Sequence, residues 1–459
     1  MKARLLCLLA LCAACSLEPK YTRPRAPVPA RFPEGEAYPQ PGSPAAVSGD
    51  TAPLSWRALF LHPSLRRFVT VALGHNRDLR AALADMRAAR AQHAFARAQV
   101  WPNIGLTAGA DLGTMRQGRP LHDYSLLVGA EAFEIDVFGR LRSLSQRARE
   151  LYFSSQSQVH AVRLSLVSET ARAWLTLCAS RSLLEIARQT SDSADEFVRL
   201  TRSRFEGGVA SELDVRQAET VLAQARSDVA SYTTAVAQSE NALRLLAGRD
   251  TDMRDVPGDF AASEDWLALL PAGVDSHVLL TRPEVQAAEH ALRSAHANIG
   301  AARAAYFPRI SLTAFGGFIS DALTSLLSAG ALGFRASPAA RLPIFTAGAN
   351  DAQLELAQAQ RERYLADYER AIQLAFRDAA DALARRGTIE EQLEAQHAWV
   401  AAAESGYQLA DARYRAGAES YLQALDAQRT LYTARRALVL AQRTRAENLV
   451  ALYRVLGKE

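Results

Sequence analysis

The feature that most constrains this chain is the length of helix it specifies without interruption. From Leu141 to Glu206, 66 residues pass without a glycine or proline, and at 1.5 Å per residue such a helix spans about 100 Å. Val209 to Ala247 and Ala418 to Leu456 are again free of both breakers, and no ordinary globular core needs helices of this length. The long stretches are joined by Arg204-Phe205-Glu206-Gly207-Gly208-Val209-Ala210-Ser211-Glu212-Leu213-Asp214 and, 209 residues later, by Arg413-Tyr414-Arg415-Ala416-Gly417-Ala418-Glu419-Ser420-Tyr421-Leu422-Gln423. Gly208 and Gly417 can take the left-handed conformation that closes a helix, and Ser211 with Asp214, like Ser420 with Gln423, fits the capping box that opens the next. Each segment therefore reads as the turn of a helical hairpin at the far end of an elongated object.

A second pattern precedes each hairpin. A helical periodicity starts near Ser64 and continues through Leu73, Leu79, Leu83 and Met86 to Trp101, where Pro102 ends it. Ile104, Leu106, Ala108, Ala110 and Leu112 then alternate with small or polar residues, as a strand requires. A loop from Gly113 to Asp123 leads to a second alternating run, Tyr124, Leu126, Val128, Ala130 and Ala132, ending near Asp136-Val137-Phe138-Gly139. The order then repeats. Phe307-Pro308-Arg309-Ile310 echoes Trp101-Pro102-Asn103-Ile104 at a spacing of 206 residues, and Leu342-Pro343-Ile344-Phe345 echoes Ile135-Asp136-Val137-Phe138 at 207. Landmarks returning at 206 to 209 residues indicate an internal duplication. The expected layout is a first repeat over 56–248, with strands in 103–135 and a hairpin over 140–248, a linker over 249–282, and a second repeat over 283–459, with strands in 309–343 and a hairpin over 349–457. Four strands leave open edges in lipid, so other copies of the chain must complete them, and no segment after the N-terminus has the 18 or more apolar residues of a spanning helix. A homo-oligomeric barrel follows.

The N-terminus reads as an export signal over 1–14, with Lys2 and Arg4 ahead of the apolar run Leu5 to Ala14. Ala13-Ala14-Cys15 resembles the lipobox of bacterial lipoproteins, whose cysteine is acylated, although Cys12 stands where leucine is usual; an ordinary signal peptide cut near Ala14 is the alternative. Nine of the 18 prolines lie between Pro19 and Pro53, so 15–55 is expected to be an anchor followed by an extended tether. Cys178, inside the long helix, is expected to be a small buried thiol. With 53 basic against 49 acidic residues, interspersed, nucleic-acid binding has no electrostatic footprint. The nine histidines form no metal or nucleophile motif, and His290 and His296, six apart, are expected to be solvated helix residues.

Trp56, Pro63, the Asn76-Arg77-Asp78-Leu79 step, Leu270-Pro271-Ala272-Gly273, Arg282-Pro283-Glu284-Val285, Leu425-Asp426-Ala427-Gln428-Arg429, the two Pro-containing strand landmarks and both hairpin turns occur here in one order. In that order the chain resembles the TolC-type outer membrane efflux proteins, in the lipid-anchored branch typified by OprM. His62, Asp275 and Glu284 depart from the family pattern at Asp, Pro and Asp positions. The resemblance implies a mainly α chain with a small β part, assembled as a homotrimer whose twelve strands form an outer membrane barrel continuous with a periplasmic α-helical barrel. A mixed girdle would be drawn from the N-terminal, linker and C-terminal segments. It further implies a passive exit duct for small toxic compounds, antibiotics among them, supplied by an inner-membrane transporter of the RND class through a periplasmic adaptor, with no enzymatic activity and no cofactor. Palmitate at Cys15 would hold the chain to outer membrane lipid. Arg204, Gly208, Ser211, Asp214, Ala218, Arg413, Gly417 and Ser420 match the tip that docks the adaptor, and Tyr414, Arg415, Leu422 and Asp426 match the periplasmic gate. Two other readings stay open: a coiled-coil lipoprotein spacer, which has no use for the strands, and the outer membrane component of a type I protein secretion system.

Overall fold

The computed structural model describes residues 17–38, 55–114, 120–260, 263, 265–268, 276–418 and 421–456. Cys15, the signal over 1–14, much of the tether, Leu270 to Asp275 and Ser420 lie outside them. After a helical turn at Trp56–Leu59, the elements are α1 (Pro63–His75), α2 (Arg77–Ala98), β1 (Ile104–Thr114), β2 (Pro120–Ile135), α3 (Arg140–Glu206), α4 (Glu212–Ala247), a 3-10 segment Ser276–Thr281, α5 (Pro283–Ala304), β3 (Arg309–Ser320), β4 (Leu332–Arg341), α6 (Ala349–Arg415) and α7 (Tyr421–Leu456). The duplication is visible in the lengths: α2 and α5 each have 22 residues, α3 and α6 each 67, and α4 and α7 each 36.

The single expected helix from Ser64 to Trp101 is two helices. Asn76 breaks it with an extended backbone, φ −58° and ψ 139°, and its side-chain oxygen accepts from the Leu79 N–H at 3.0 Å, opening α2 as an N-cap. The Asn76 amide also donates to the Leu246 carbonyl at 3.1 Å, tying the break to the end of α4.

The chain divides into two compact units. The first comprises Met1–Ala26, Leu83–Gln158 and Glu284–Ala371 and contains the sheet, in which β1-β2-β3-β4 pair antiparallel in that order. The β1–β2 hairpin is tighter than the expected loop from Gly113 to Asp123, since pairing extends to Thr114 and resumes at Pro120. In β2 the alternation does not run through Ala132. A bulge between Ala130 and Phe133 inserts one residue opposite Thr313, Ala132 takes φ +47°, and its N–H donates to the Thr313 hydroxyl at 3.0 Å. The bulge passes the apolar phase from Ala130 to Phe133 and Ile135, which pair with Leu312 and Ile310. In the same unit the N-terminal segment is clamped to α5: Arg23 donates to both carboxylate oxygens of Glu289, at 3.1 and 2.5 Å, and the Tyr21 hydroxyl donates at 3.2 Å.

The second unit comprises Pro27–Ala82, Val159–Pro283 and Ile372–Glu459. Its core collects segments far apart in sequence: Trp56, Phe60 and Phe68, then Trp174 and Cys178 of α3, then Phe260 and Trp266 of the linker, and Tyr453 of α7. Trp174 meets Trp266 edge-on at 4.9 Å between ring centroids and donates its indole N–H to the Ser64 hydroxyl at 3.0 Å, so its polar atom is satisfied as it is buried. The backbone N–H groups of Leu61 and Ala268 donate to the Trp266 and Leu59 carbonyls, both at 2.8 Å, a short bridge between N-terminal and linker segments. Gly387 inside α6 has a steric reason. A Cβ there would come within 2.3 Å of the Ala37 carbonyl oxygen, so the N-terminal segment crosses α6 only because the side chain is absent.

Candidate functional site

The first candidate surface is the sheet. Because side chains directly opposite on antiparallel strands share a face, the register gathers Leu106, Val128 and Gly316, Ala108, Leu126 and Phe318, and then Leu332, Phe334, Ala336 and Pro338 on one side. The other side carries Thr107, Asp111, Asp123, Ser125, Ser311, Thr313, Arg335 and Ser337, interrupted by Leu127, Phe315 and Ile319. On the apolar side Leu106, Val128, Leu332 and Phe334 are all exposed. One apolar and one polar face, in strands of 10 to 16 residues, is the pattern of a barrel wall with lipid outside and water inside. Both outer strands, β1 and β4, have one partner each among the described residues, so the wall is incomplete in a single chain. Among the described residues no helix is long and apolar enough to cross a membrane.

The second surface is the pair of turns, both in the second unit. In the first, Val209 and Ala210 donate backbone N–H groups to the Arg204 carbonyl at 2.8 and 3.2 Å, with Gly208 at φ +75°. In the other, Ala418 donates to the Arg413 carbonyl at 2.9 Å with Gly417 at φ +76°. Ser211 then opens α4 through a complete capping box: its hydroxyl accepts from the Asp214 N–H at 3.2 Å, and Asp214 accepts from the Ser211 N–H at 2.9 Å.

The two turns are stitched to each other. Arg204 donates to the Tyr414 and Arg415 carbonyls at 2.9 and 3.1 Å, placing a cation on the last carbonyls of α6, and its guanidinium lies 4.3 Å from the Tyr414 ring centre. Tyr414 is buried against Phe197 and Tyr421, with its hydroxyl 2.9 Å from that of Thr201. Arg415 donates to Asp411 at 2.9 Å and Glu196 at 2.8 Å; hydrogen bonding to Arg415, together with its charge, holds the Glu196 carboxyl below its ordinary pKa. Leu422 and Asp426 are exposed one turn apart on α7. Ala218, grouped with the tip by sequence, does not reach the surface of the single chain: at 1 % exposure it packs among Phe197, Val221 and Leu425. Sequence reading passed over Val209 and Leu213, apolar and exposed at the first turn; an apolar residue directly after a C-capping glycine was the available signal.

The histidine expectation also fails. His290 Nδ1 is 2.8 Å from Glu150 Oε2 on α3. His296 is 7 % exposed, accepts from Arg361 at 3.3 Å and meets the Tyr21 ring edge-on. Burial and then the Arg361 charge push its pKa down. His290 is thus half-buried against α3, and His296, on a different side of α5, is buried against α6 and the N-terminal segment.

A sheet with two opposed faces and, among the described residues, two unfilled edges, joined in one duplicated chain to helical hairpins with arms of 67 and 36 residues, defines a protomer of an oligomeric outer membrane channel. Comparison with known proteins agrees. The outer membrane efflux protein model matches residues 69–249 and 275–458. The antibiotic efflux pump outer membrane protein ArpC of Pseudomonas putida is 40 % identical over 454 residues, covering 96 % of this chain and 92 % of the relative. The cation efflux system protein CusC of Escherichia coli is 35 % identical over 455 residues, 98 % of each. The open-state structure of the Neisseria gonorrhoeae MtrE outer membrane channel superposes with a TM-score of 0.84 at 33 % identity, over 96 % of this chain and 98 % of that one. The chain belongs to the outer membrane efflux protein family, and its function is that of the exit duct of a tripartite efflux system.

Proposed function

We propose that three copies of this chain close a twelve-stranded barrel, that Cys15 carries the acyl anchor, and that the paired turns receive a periplasmic adaptor bound to an inner-membrane transporter of the RND class. The cargo is small toxic molecules, in keeping with relatives named for antibiotics and for cations. The observation that carries the reading is the two-faced sheet with open β1 and β4 edges, which has a use only in a pore and none in a spacer. Around the turns, Arg204, Gly208, Ser211 and Asp214 with Arg413, Gly417 and Ser420 fix which side chains face an incoming partner, and the exposed Val209 and Leu213 supply apolar contact. Leu422 and Asp426 act as rings at the entrance under three-fold symmetry, where three carboxylates repel unless cations or donors stand nearby; Tyr414 and Arg415, beside the same turn, tie the closed position to Thr201, Glu196 and Asp411.

The test is complementation. In a host lacking its own efflux duct, this chain expressed with its cognate adaptor and transporter should lower accumulation of a fluorescent efflux substrate to the level of an intact strain. Unchanged accumulation, with the chain in the outer membrane and the partners expressed, would contradict the reading.

A further inference from the structure

The duplication and one ring contact together predict a second ring contact that no single chain can make. Phe138, just after β2, stacks on Phe307, just before β3, with centroids 4.8 Å apart and planes at 23°. These two belong to different repeats and meet because β2 and β3 are neighbours in the sheet. Their counterparts, at spacings of 207 and 206, are Phe345 just after β4 and Trp101 just before β1. Those two flank the unfilled edges, and they are 88 % and 72 % exposed, while Phe138 is half-buried. Aromatic rings this open at strand ends leave a large apolar face available for stacking.

We propose that Phe345 stacks on the partner subunit's Trp101, so that the assembled channel carries six aromatic pairs where strands meet helices, three within chains and three between them. The occupant of this surface is a second copy of this chain, because the free β4 edge continues only onto a free β1 edge. The same mapping fixes the register. Ile135 lies opposite Ile310, so Leu342, one residue past β4, should lie opposite the partner's Ile104; both are exposed in the single chain, and both keep the apolar phase of β4 and β1. The inference rests on the trimeric reading above.

The test is thiol cross-linking with a short bismaleimide on full-length protein in outer membranes. Phe345→Cys combined with Trp101→Cys should give covalent dimers and trimers on a denaturing gel, absent from either single variant. Phe138→Cys with Phe307→Cys should cross-link at monomer mass. Monomer bands alone from the first pair, in protein that is trimeric by native mass, would overturn the pairing and leave the trimer standing. Wild-type protein that is monomeric by native mass would overturn both. As a second measurement, Phe345→Ala should lower the temperature at which the detergent-resistant trimer dissociates, with Phe345→Tyr close to wild type; no change in Phe345→Ala would count against the stack.

Discussion

At the scale of the residue, Gly208 and Gly417 show how one backbone requirement is repeated by duplication. Both hold φ near +75°, where any side chain bearing a Cβ costs about 1 to 2 kcal/mol and a β-branched one more. No atom lies within 4 Å of a Cβ built at either position, so the strain is in the backbone and not in packing. Gly208→Ile should therefore distort the closure on the Arg204 carbonyl and displace Val209 and Leu213 while the sheet and the Trp174 core remain intact. We expect efflux to be abolished, measured as substrate accumulation, with trimers still present by native mass; normal pumping would show that the turn does no docking. These glycines, Ser211 and Asp214 were legible from sequence because capping is local chemistry. The link from Arg204 to the end of α6 was not, since it joins residues 210 apart and no periodicity reports it.

At the scale of the element, helix type and order could be read because breaker-free length is a strong signal, but phase and interruption could not. The helix break at Asn76 lay within an unbroken apolar periodicity, and only the Asn-Arg-Asp-Leu step, with a side chain suited to capping, pointed to it. The bulge at Ala132 depends on Thr313, from the other repeat, taking its N–H, and the sequence signal was no more than a slip of apolar residues from Ala130 to Phe133. The N-terminal segment gives a testable element. Burial pushes the Glu289 carboxyl up, but hydrogen bonds and charge from Arg23 and Arg293 outweigh it and leave the pKa below its ordinary 4.5. The clamp therefore contributes stability fully above that value and loses it as pH falls through the depressed folded value. Hydrogen exchange over residues 17–26 should be slow at pH 7 and speed up in acid relative to the intrinsic rate. Arg23→Ala should be fast at both, and protection unaffected by Arg23→Ala would show that the clamp does not hold the segment.

At the scale of the whole molecule, the duplication was the most legible property, since equal helix lengths in both halves follow from landmarks repeating at a nearly constant spacing. A histidine such as His296 was illegible because its burial is decided by the N-terminal segment and α6, distant in sequence. Membrane attachment adds a prediction at this scale. Acyl chains anchor firmly only when several act together, and the barrel itself inserts, so Cys15→Ala should reduce assembly efficiency without releasing the protein from the membrane. Metabolic labelling with palmitate should mark wild type and not the variant; an unlabelled wild type would remove the anchor. The central claim is that this chain forms a gated pore, and single-channel recording of the purified protein in a planar bilayer tests it most directly. We predict discrete, cation-preferring conductance steps that are small for wild type and larger for Leu422→Ala combined with Asp426→Ala, at equal trimer stability. A protein that inserts yet gives no steps in either form would contradict the account.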